Sequence, residues 1–436
     1  VLKFVWRPFQ VFVRLESFSG ILLLACALAA LAWANSRWGS AYHHLKEFPL
    51  GLNLGGIPMI LPFEKLVNDG LMAFFFLLVG LEIKREMLAG ELASFRRALF
   101  PAVAALGGML IPAGIFIAFN QGEPGAKGWG IPMATDIAFA LGVLQLLGRR
   151  VPLSLKVFLV ALAILDDIGA ILVIALFYTS HLSYPSLFLA GAFLAGLLFL
   201  NRSGVKHPLP YMLGGFFLWI ALFHSGVHAT LAGVALAFFI PTKTLLTDEQ
   251  FLPRAQNILQ RFRAAEHRIH PGVLNDERVS AIHEMEAACE GVEPMAQRLE
   301  ARLHPWVSYG ILPLFALLNA GVTLSLPTVH VLREPLGLGI LVGLCLGKPI
   351  GIVFFSRLAV WMKMASLPPG TDWKQITGAG ILGGIGFTMS IFIAHLGLAP
   401  QLLDGAKLAI LCASLAAGFA GFAFLWFAGN RVETER

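Results

Sequence analysis

Residues 161–177 read ALAILDDIGAILVIALF. Fifteen of the seventeen are apolar or glycine, and the other two, Asp166 and Asp167, stand side by side near the middle. A carboxylate at the centre of a membrane-crossing helix costs roughly 2.5–3.5 kcal/mol on the insertion scale, against about 0.3–0.6 kcal/mol gained per Leu, Ile, Val or Phe. The pair therefore cancels the contribution of about ten large apolar residues. A chain tolerates this where the carboxylates face a water-filled cavity or a partner charge. The bland reading is a buried structural ion pair; the sharper one is an ion path.

The surrounding chain is of the same kind. Of 436 residues, 57% are hydrophobic and only 13% charged, and the mean hydropathy is +0.75. Soluble domains carry nearer a quarter charged residues. Uncharged runs long enough to cross a bilayer recur at 17–36, 98–122, 168–201, 207–242, 303–332, 375–403 and 408–430. About twenty apolar residues make one helical crossing. The expected fold is an all-α polytopic membrane protein with about 12 spans, near 15–35, 66–89, 97–119, 131–147, 153–178, 185–201, 208–224, 226–241, 305–325, 335–360, 374–396 and 404–429. The net charge of +6 does not point to nucleic acid, because its distribution follows the spans. With both termini in the cytoplasm, 25 of the 32 Lys and Arg fall in inside segments, 6 fall outside, and Lys348 lies within a span. That bias sets the orientation. The N-terminal run ending ALAALAWANS resembles a signal peptide, but it is longer than a typical apolar region of about 7–15 residues, and it is read as an uncleaved first helix. Cys26, Cys289, Cys345 and Cys412 have neither metal spacing nor a disulfide pattern and read as small apolar fillers.

Two loops divide the chain into 1–242, 243–304 and 305–436. Residues 48–62, FPLGLNLGGIPMILP, place two alternating apolar runs around Gly55–Gly56, a hairpin signal on the extracytoplasmic side; its exposed edge offers a route to a homodimer. The segment 243–304 is the one large polar stretch. FLPRAQNILQRFRAAEHRI (251–269) and VSAIHEMEAACEGVEPMAQRLEARL (279–303) have amphipathic helical patterns, read either as solvated helices or as a regulatory lid on the cytoplasmic mouth.

Within the spans the ionisable set is small. Asp69 lies at the outer end of span 2, with Glu82, Lys84, Arg85 and Glu86 at its inner end. Asp136 is in span 4, Asp166 and Asp167 are in span 5, and Lys348 is in span 10. Near the membrane centre three carboxylates face one ammonium, and the excess is matched by protons or a bound cation. Neighbouring residues on a helix point about 100° apart, so one of Asp166 and Asp167 can reach a lysine while the other faces an ion cavity. A site that accepts either protons or a hard, oxygen-seeking cation exchanges one for the other. Span 4 opens GWGIPMATDIAFALGVL (128–144), with Gly130 and Pro132 just before Thr135 and Asp136. Span 11 contains GAGILGGIGFTMS (378–390), with five glycines in nine residues, Gly383, Gly384 and Gly386 among them. Close helix packing is one reading of such runs; interrupted helices with dipole ends at an ion site are the other. Spans 4 and 11 are the middle members of two triplets, 3–5 and 10–12, of opposite topology, and interruptions at matching positions of inverted repeats point to a transporter binding site near the midplane.

At these residues the chain resembles the NhaA family of bacterial Na+/H+ antiporters. The motifs are NDGLMAFFFLLVGLEIKREM (68–87), ATDIAFALGVL (134–144), ALAILDDIGAI (161–171), SGVHATLAGV (225–234), LHPWVSYGILPLFALLNAGV (303–322), LGKPIGI (346–352) and GILGGIGFTMSIFIAHL (380–396). That family is itself a type case of the inverted-repeat architecture, so the two observations are not independent. The resemblance implies electrogenic, pH-regulated exchange of Na+ or Li+ for protons in the bacterial inner membrane, without a cofactor or an enzymatic reaction. It implies that Asp166 and Asp167 form the transient ion site, Asp167 being the principal ligand. Asp166 would pair with Lys348 in one state, and Thr135 and Asp136 would sit at the crossing of the broken helices. Glu82, Arg85, Glu86, Glu300 and His304 would belong to a pH-sensing funnel, and Asp69 and His228 to the periplasmic side. The chain departs from the pattern with Ala301 after Glu300, His224 before SGVHA and the longer 243–302 segment. An organic-anion/Na+ symporter fits the doublet and Lys348 less well. An intramembrane aspartyl protease is disfavoured because neither MATD nor AILD is the Gly-x-Gly-Asp motif such enzymes carry.

Overall fold

The computed structural model describes residues 19–54, 57–179, 182–244, 246–265 and 275–428. The Gly55–Gly56 turn, the terminal charges at Lys3, Arg7, Arg14, Arg431 and Arg436, and the end of the 251–269 stretch lie outside the described residues. Among the described residues six helices are long and apolar enough to cross a membrane, and up to nine spans result when each bent pair is counted as one. Large apolar side chains such as Phe188, Phe199, Phe419 and Phe427 stand exposed on the helix faces. Surfaces of that kind suit contact with lipid tails.

In chain order the helices are α1 Ser19–Ala34, α3 Phe63–Ala89, α4 Phe95–Asn120, α6 Leu153–Phe177, α7 Tyr184–Arg202 and α8 Pro208–Phe223. Between α1 and α3 lie α2 Gly39–Glu47 and the antiparallel strands β1 Pro49–Leu54 and β2 Ile57–Pro62. Helix α2 turns 113° from α1. A 3-10 helix, Pro124–Met133, and α5 Ile137–Leu146 make up span 4. The second half holds α13 Pro335–Trp361, α14 Trp373–Gly383, α15 Phe387–Gly397 and α16 Pro400–Ala428.

Spans 4 and 11 are interrupted, with bends of 44° and 45°. The breaks fall where the sequence removes backbone donors or bulk: Pro132 lacks an N–H, and Gly384 and Gly386 flank the second break. Gly384 has ordinary negative φ, so its glycine serves close approach. A Cβ there would run into the Leu344 carbonyl.

Span 8 differs from its expectation. Its helix, α9 Leu231–Phe239, has nine residues, far short of the ~20 that cross a bilayer. Lys84 of α3 closes its C-terminus, donating to the carbonyls of Ala237, Phe238 and Ile240 at 3.2, 2.8 and 2.5 Å, where a cation also meets the helix dipole. Helices α3, α7, α8 and α9 share one apolar cluster, and a larger cluster joins α1, α3, α4, α5, α6 and α13–α16.

The polar segment forms α10 Asp248–Ala264 and α11 Asp276–Val292, with a small core of Ile258, Ala281 and Ala288. The stretch expected as one helix over 279–303 breaks before Pro294, and α12 starts at Met295. It runs through Met295–Trp306 and a wide turn at Val307–Ile311 into Leu312–Asn319. The hairpin and α10–α11 mark two ends of the molecule, here called the hairpin side and the loop side.

Helices α4 and α13 touch through glycine. A Cβ on Gly107 would lie 2.6 Å from Phe355 Cβ, and one on Gly351 would strike the Gly107 carbonyl. Gly351→Val is therefore expected to lower the melting temperature of the detergent-purified protein, by overpacking worth about 1–3 kcal/mol. Gly114→Ala on α4 meets nothing within 4 Å and should not. Equal melting of the two variants would refute this account of the contact.

Candidate ion site at the crossing of two broken helices

The two interruptions cross. Ala134–Asp136 and Gly384–Gly386 leave the helical path side by side, and the Asp136 N–H donates to the Ile385 carbonyl at 2.6 Å. Breaking two helices exposes four half-helix ends in the interior, and each needs partners. At the N-terminal ends, Asp136 serves both. Its Oδ1 accepts from the Phe139 N–H of α5 at 3.0 Å. Its Oδ2 accepts from the Thr388 N–H of α15 at 3.1 Å and from the Thr388 hydroxyl at 2.5 Å. A carboxylate suits both ends, because they carry partial positive charge. The Phe387 N–H donates to Ser414 Oγ of α16 at 3.0 Å.

At the C-terminal ends the partners are donors. Lys348 Nζ reaches the Met133 carbonyl, the last of the 3-10 half. The Thr135 hydroxyl lies 2.9 Å from the Gly383 carbonyl that ends α14. Ser390 Oγ donates to the Ile131 carbonyl at 2.7 Å.

The aspartate doublet sits beside this crossing on α6. Lys348 Nζ is 2.8 Å from Asp166 Oδ2, and both side chains are fully buried. Thr135 Oγ1 is 2.7 Å from the same Asp166 oxygen. A wide helical turn at Gly343–Gly347 immediately precedes Lys348; such turns are frequent at functional sites. Asp167 points elsewhere, as the 100° step requires. It lines a cavity of about 50 Å³ together with Thr135, Asp136, Glu82, Arg85, His304, Ser308 and Thr388. Its Oδ1 is buried and accepts no hydrogen bond among the described residues. Among the described residues Asp167 is thus a carboxylate without a cation of its own, next to one that has Lys348.

Farther toward the loop side, Arg85 Nη1 donates to Glu300 Oε1 at 2.5 Å, and Arg85 Nη2 lies 3.3 Å from Glu86 Oε1. Glu86 also accepts from the Glu91 N–H at 3.0 Å. Burial holds the Glu300 carboxyl above the usual carboxylate range, against the pull of Arg85 and His304. Asp69 and His228 lie apart from this cavity, 3.6 Å from each other, with His228 Nδ1 2.7 Å from the Thr230 hydroxyl.

The structure therefore brings Thr135, Asp136, Asp167, Glu82, Arg85 and His304 to one cavity and sets Asp166 and Lys348 behind it. Glu86 and Glu300 join through Arg85, and Asp69 with His228 does not. Gly383 contributes its carbonyl, whereas Gly384 and Gly386 form the break. Sequence reasoning missed Thr388, Ser390 and Ser414. A Thr just after the glycine run carried a signal as a cap for the second half-helix. Ser414, a small residue in an apolar helix, carried none.

Breaking a buried ion pair on one side costs about 3–5 kcal/mol, more than removing both partners. Lys348→Met should accordingly lower thermal stability in detergent, and the double variant Asp166→Asn/Lys348→Met should recover most of the loss. A single variant that melts like the parent would show that the pair does not balance this interior charge.

A family model described as Na+/H+ antiporter 1 matches residues 10–425. The Na(+)/H(+) antiporter NhaA of Oleidesulfovibrio alaskensis is 51% identical over 416 residues, 95% of this chain and 92% of that protein. The Na(+)/H(+) antiporter NhaA 2 of Syntrophotalea carbinolica is 46% identical over 433 residues, 99% and 98% of the two chains. The Na(+)/H(+) antiporter NhaA of Wolinella succinogenes is 47% identical over 415 residues, 95% and 92%. The chain belongs to the NhaA family of Na+/H+ antiporters, which are secondary transporters and not enzymes.

Proposed function

We propose that the protein exchanges cytoplasmic Na+ or Li+ for external protons by alternating access, and that Asp167 is the residue at which the two cargoes compete. The observation that carries this reading is the division of labour in the doublet: each aspartate keeps one buried oxygen that accepts nothing among the described residues, but Asp166 is paired with Lys348, whereas Asp167 lines the cavity. A hard cation seeks such oxygens, and a proton neutralises them equally well.

Charge accounting supports an electrogenic cycle. Half-helix ends carry about +0.5 at N-termini and about −0.5 at C-termini. The two N-terminal ends offset Asp136, and the two C-terminal ends offset Lys348. Asp166 and Asp167 then remain as two negative charges. Two protons neutralise them fully, and one Na+ does so only in part. Protonation of Asp166 also weakens its hold on Lys348, which ties proton loading to the crossing through the Met133 carbonyl.

In this reading the chain has twelve spans and lies in the bacterial inner membrane. Both termini and the 243–304 segment are cytoplasmic, as the bias of Lys and Arg supports, and the loop side is the cytoplasmic mouth. Glu82, Arg85, Glu86, Glu300 and His304 tune entry with pH, and Asp69 and His228 lie on the exit path. The β1–β2 hairpin is extracytoplasmic, and its open edges suit pairing with a second copy.

Everted membrane vesicles holding a proton gradient test the reading. Addition of Na+ or Li+ is expected to dissipate the gradient in vesicles containing the parent, and to leave it intact with Asp167→Asn. A parent that dissipates no gradient at any pH between about 6 and 9, the window in which such sites are commonly tuned, would refute the exchange.

A further inference from the structure

The hairpin side carries a second set of ionisable groups that the aspartate site does not use. His395 stands in the last turn of α15. Its Nδ1 is 2.9 Å from the Ile391 carbonyl one turn back. A carbonyl only accepts, so Nδ1 carries a proton. Nε2 faces Glu64 Oε1 at 3.5 Å, at the start of α3 and directly after the hairpin. The same Glu64 oxygen receives the Lys46 ammonium of α2 at 3.1 Å.

These contacts constrain where a second proton sits. An oxygen that accepts from an ammonium presents a lone pair to the ring. An unprotonated Nε2 would oppose it with another lone pair, whereas a proton on Nε2 turns the 3.5 Å approach, too long for a hydrogen bond as it stands, into an ion pair. Buried Lys407 of α16 faces both members of the pair, Tyr42 of α2 faces Glu64, and Asp404 of α16 stands near Tyr42 and Lys407. Burial of the ring and the Lys407 ammonium oppose a charged ring, and Glu64 and the Ile391 carbonyl favour it. The Glu64 side chain is 26% exposed, so protons reach the pair from solvent on the hairpin side.

We propose that His395 and Glu64 form a second proton-binding site, separate from the aspartate site, which fastens the outer end of α15 to the base of the hairpin when the ring holds its second proton. Loss of that proton sets two lone pairs against each other and loosens the end. Helix α15 has eleven residues. Asp136 grips its first turn through Thr388, and Glu64 meets its last turn through His395. Proton occupancy at the outer end thus bears on the helix that completes the aspartate site; this consequence, unlike the site itself, rests on the proposed exchange.

Nitrogen NMR of the histidine-labelled full chain in detergent tests the site without any transport measurement. At about pH 6, close to the ordinary histidine value of ~6.5, one ring with both nitrogens protonated is expected in the parent and absent in His395→Gln. In Glu64→Gln that ring is expected to be neutral with its proton on Nδ1. In Lys46→Met, which removes the competing ammonium, it is expected to stay doubly protonated. A singly protonated His395 in the parent, or a ring unaffected by Glu64→Gln, would overturn the proposal while leaving Na+-dependent exchange untouched. Failure of exchange in vesicles would leave the NMR result unchanged.

Discussion

One carboxylate makes two buried chain breaks tolerable. Asp136 accepts hydrogen bonds from the first turns of α5 and α15, so donors that would otherwise be orphaned in the interior are satisfied by one charged group. An unsatisfied buried backbone group costs several kcal/mol in an apolar setting. The crossing concentrates four helix ends in one place, and it stands only because each end is matched by a group of opposite character. Lys348 and Thr135 do for the carbonyl ends what Asp136 does for the amide ends.

The ion site follows from that balance. Lys348 both ends the 3-10 half and pairs with Asp166, so the lysine is committed before Asp167 is considered. The second aspartate is left facing the cavity with no cation of its own among the described residues. The small volume and mixed lining of that cavity suit a bare ion better than an organic substrate. In the proposed exchange protons and Na+ compete there, because the fold supplies carboxylate charge in excess of its lysine and the geometry keeps that excess on the cavity wall.

Much of this was legible in the sequence, and the reasons are physical. Charges are so costly among apolar residues that Asp136, Asp166, Asp167 and Lys348 stand out without any structure. Pro132 and the run from Gly378 to Gly386 mark the interruptions because each weakens a helix by a known mechanism. Helix α2 was not anticipated, since its nine residues, GSAYHHLKE, are short and polar between the first span and the hairpin. The shortness of α9 was hidden because a run of apolar residues looks the same whether it is helical throughout or partly turned. The contacts of Ser414, Ser390 and His395 join residues distant in sequence, and a small polar residue in an apolar helix does not announce its partner.

The central claim is that Na+ and protons occupy Asp167 in turn. The most direct measurement is the number of protons released when Na+ binds the purified protein, obtained by titration calorimetry in buffers of different ionisation enthalpy. Competition at Asp167 predicts that Na+ binding releases protons in the parent and that Asp167→Asn shows neither the binding nor the release. Sodium binding without proton release, or release of equal size in Asp167→Asn, would contradict it.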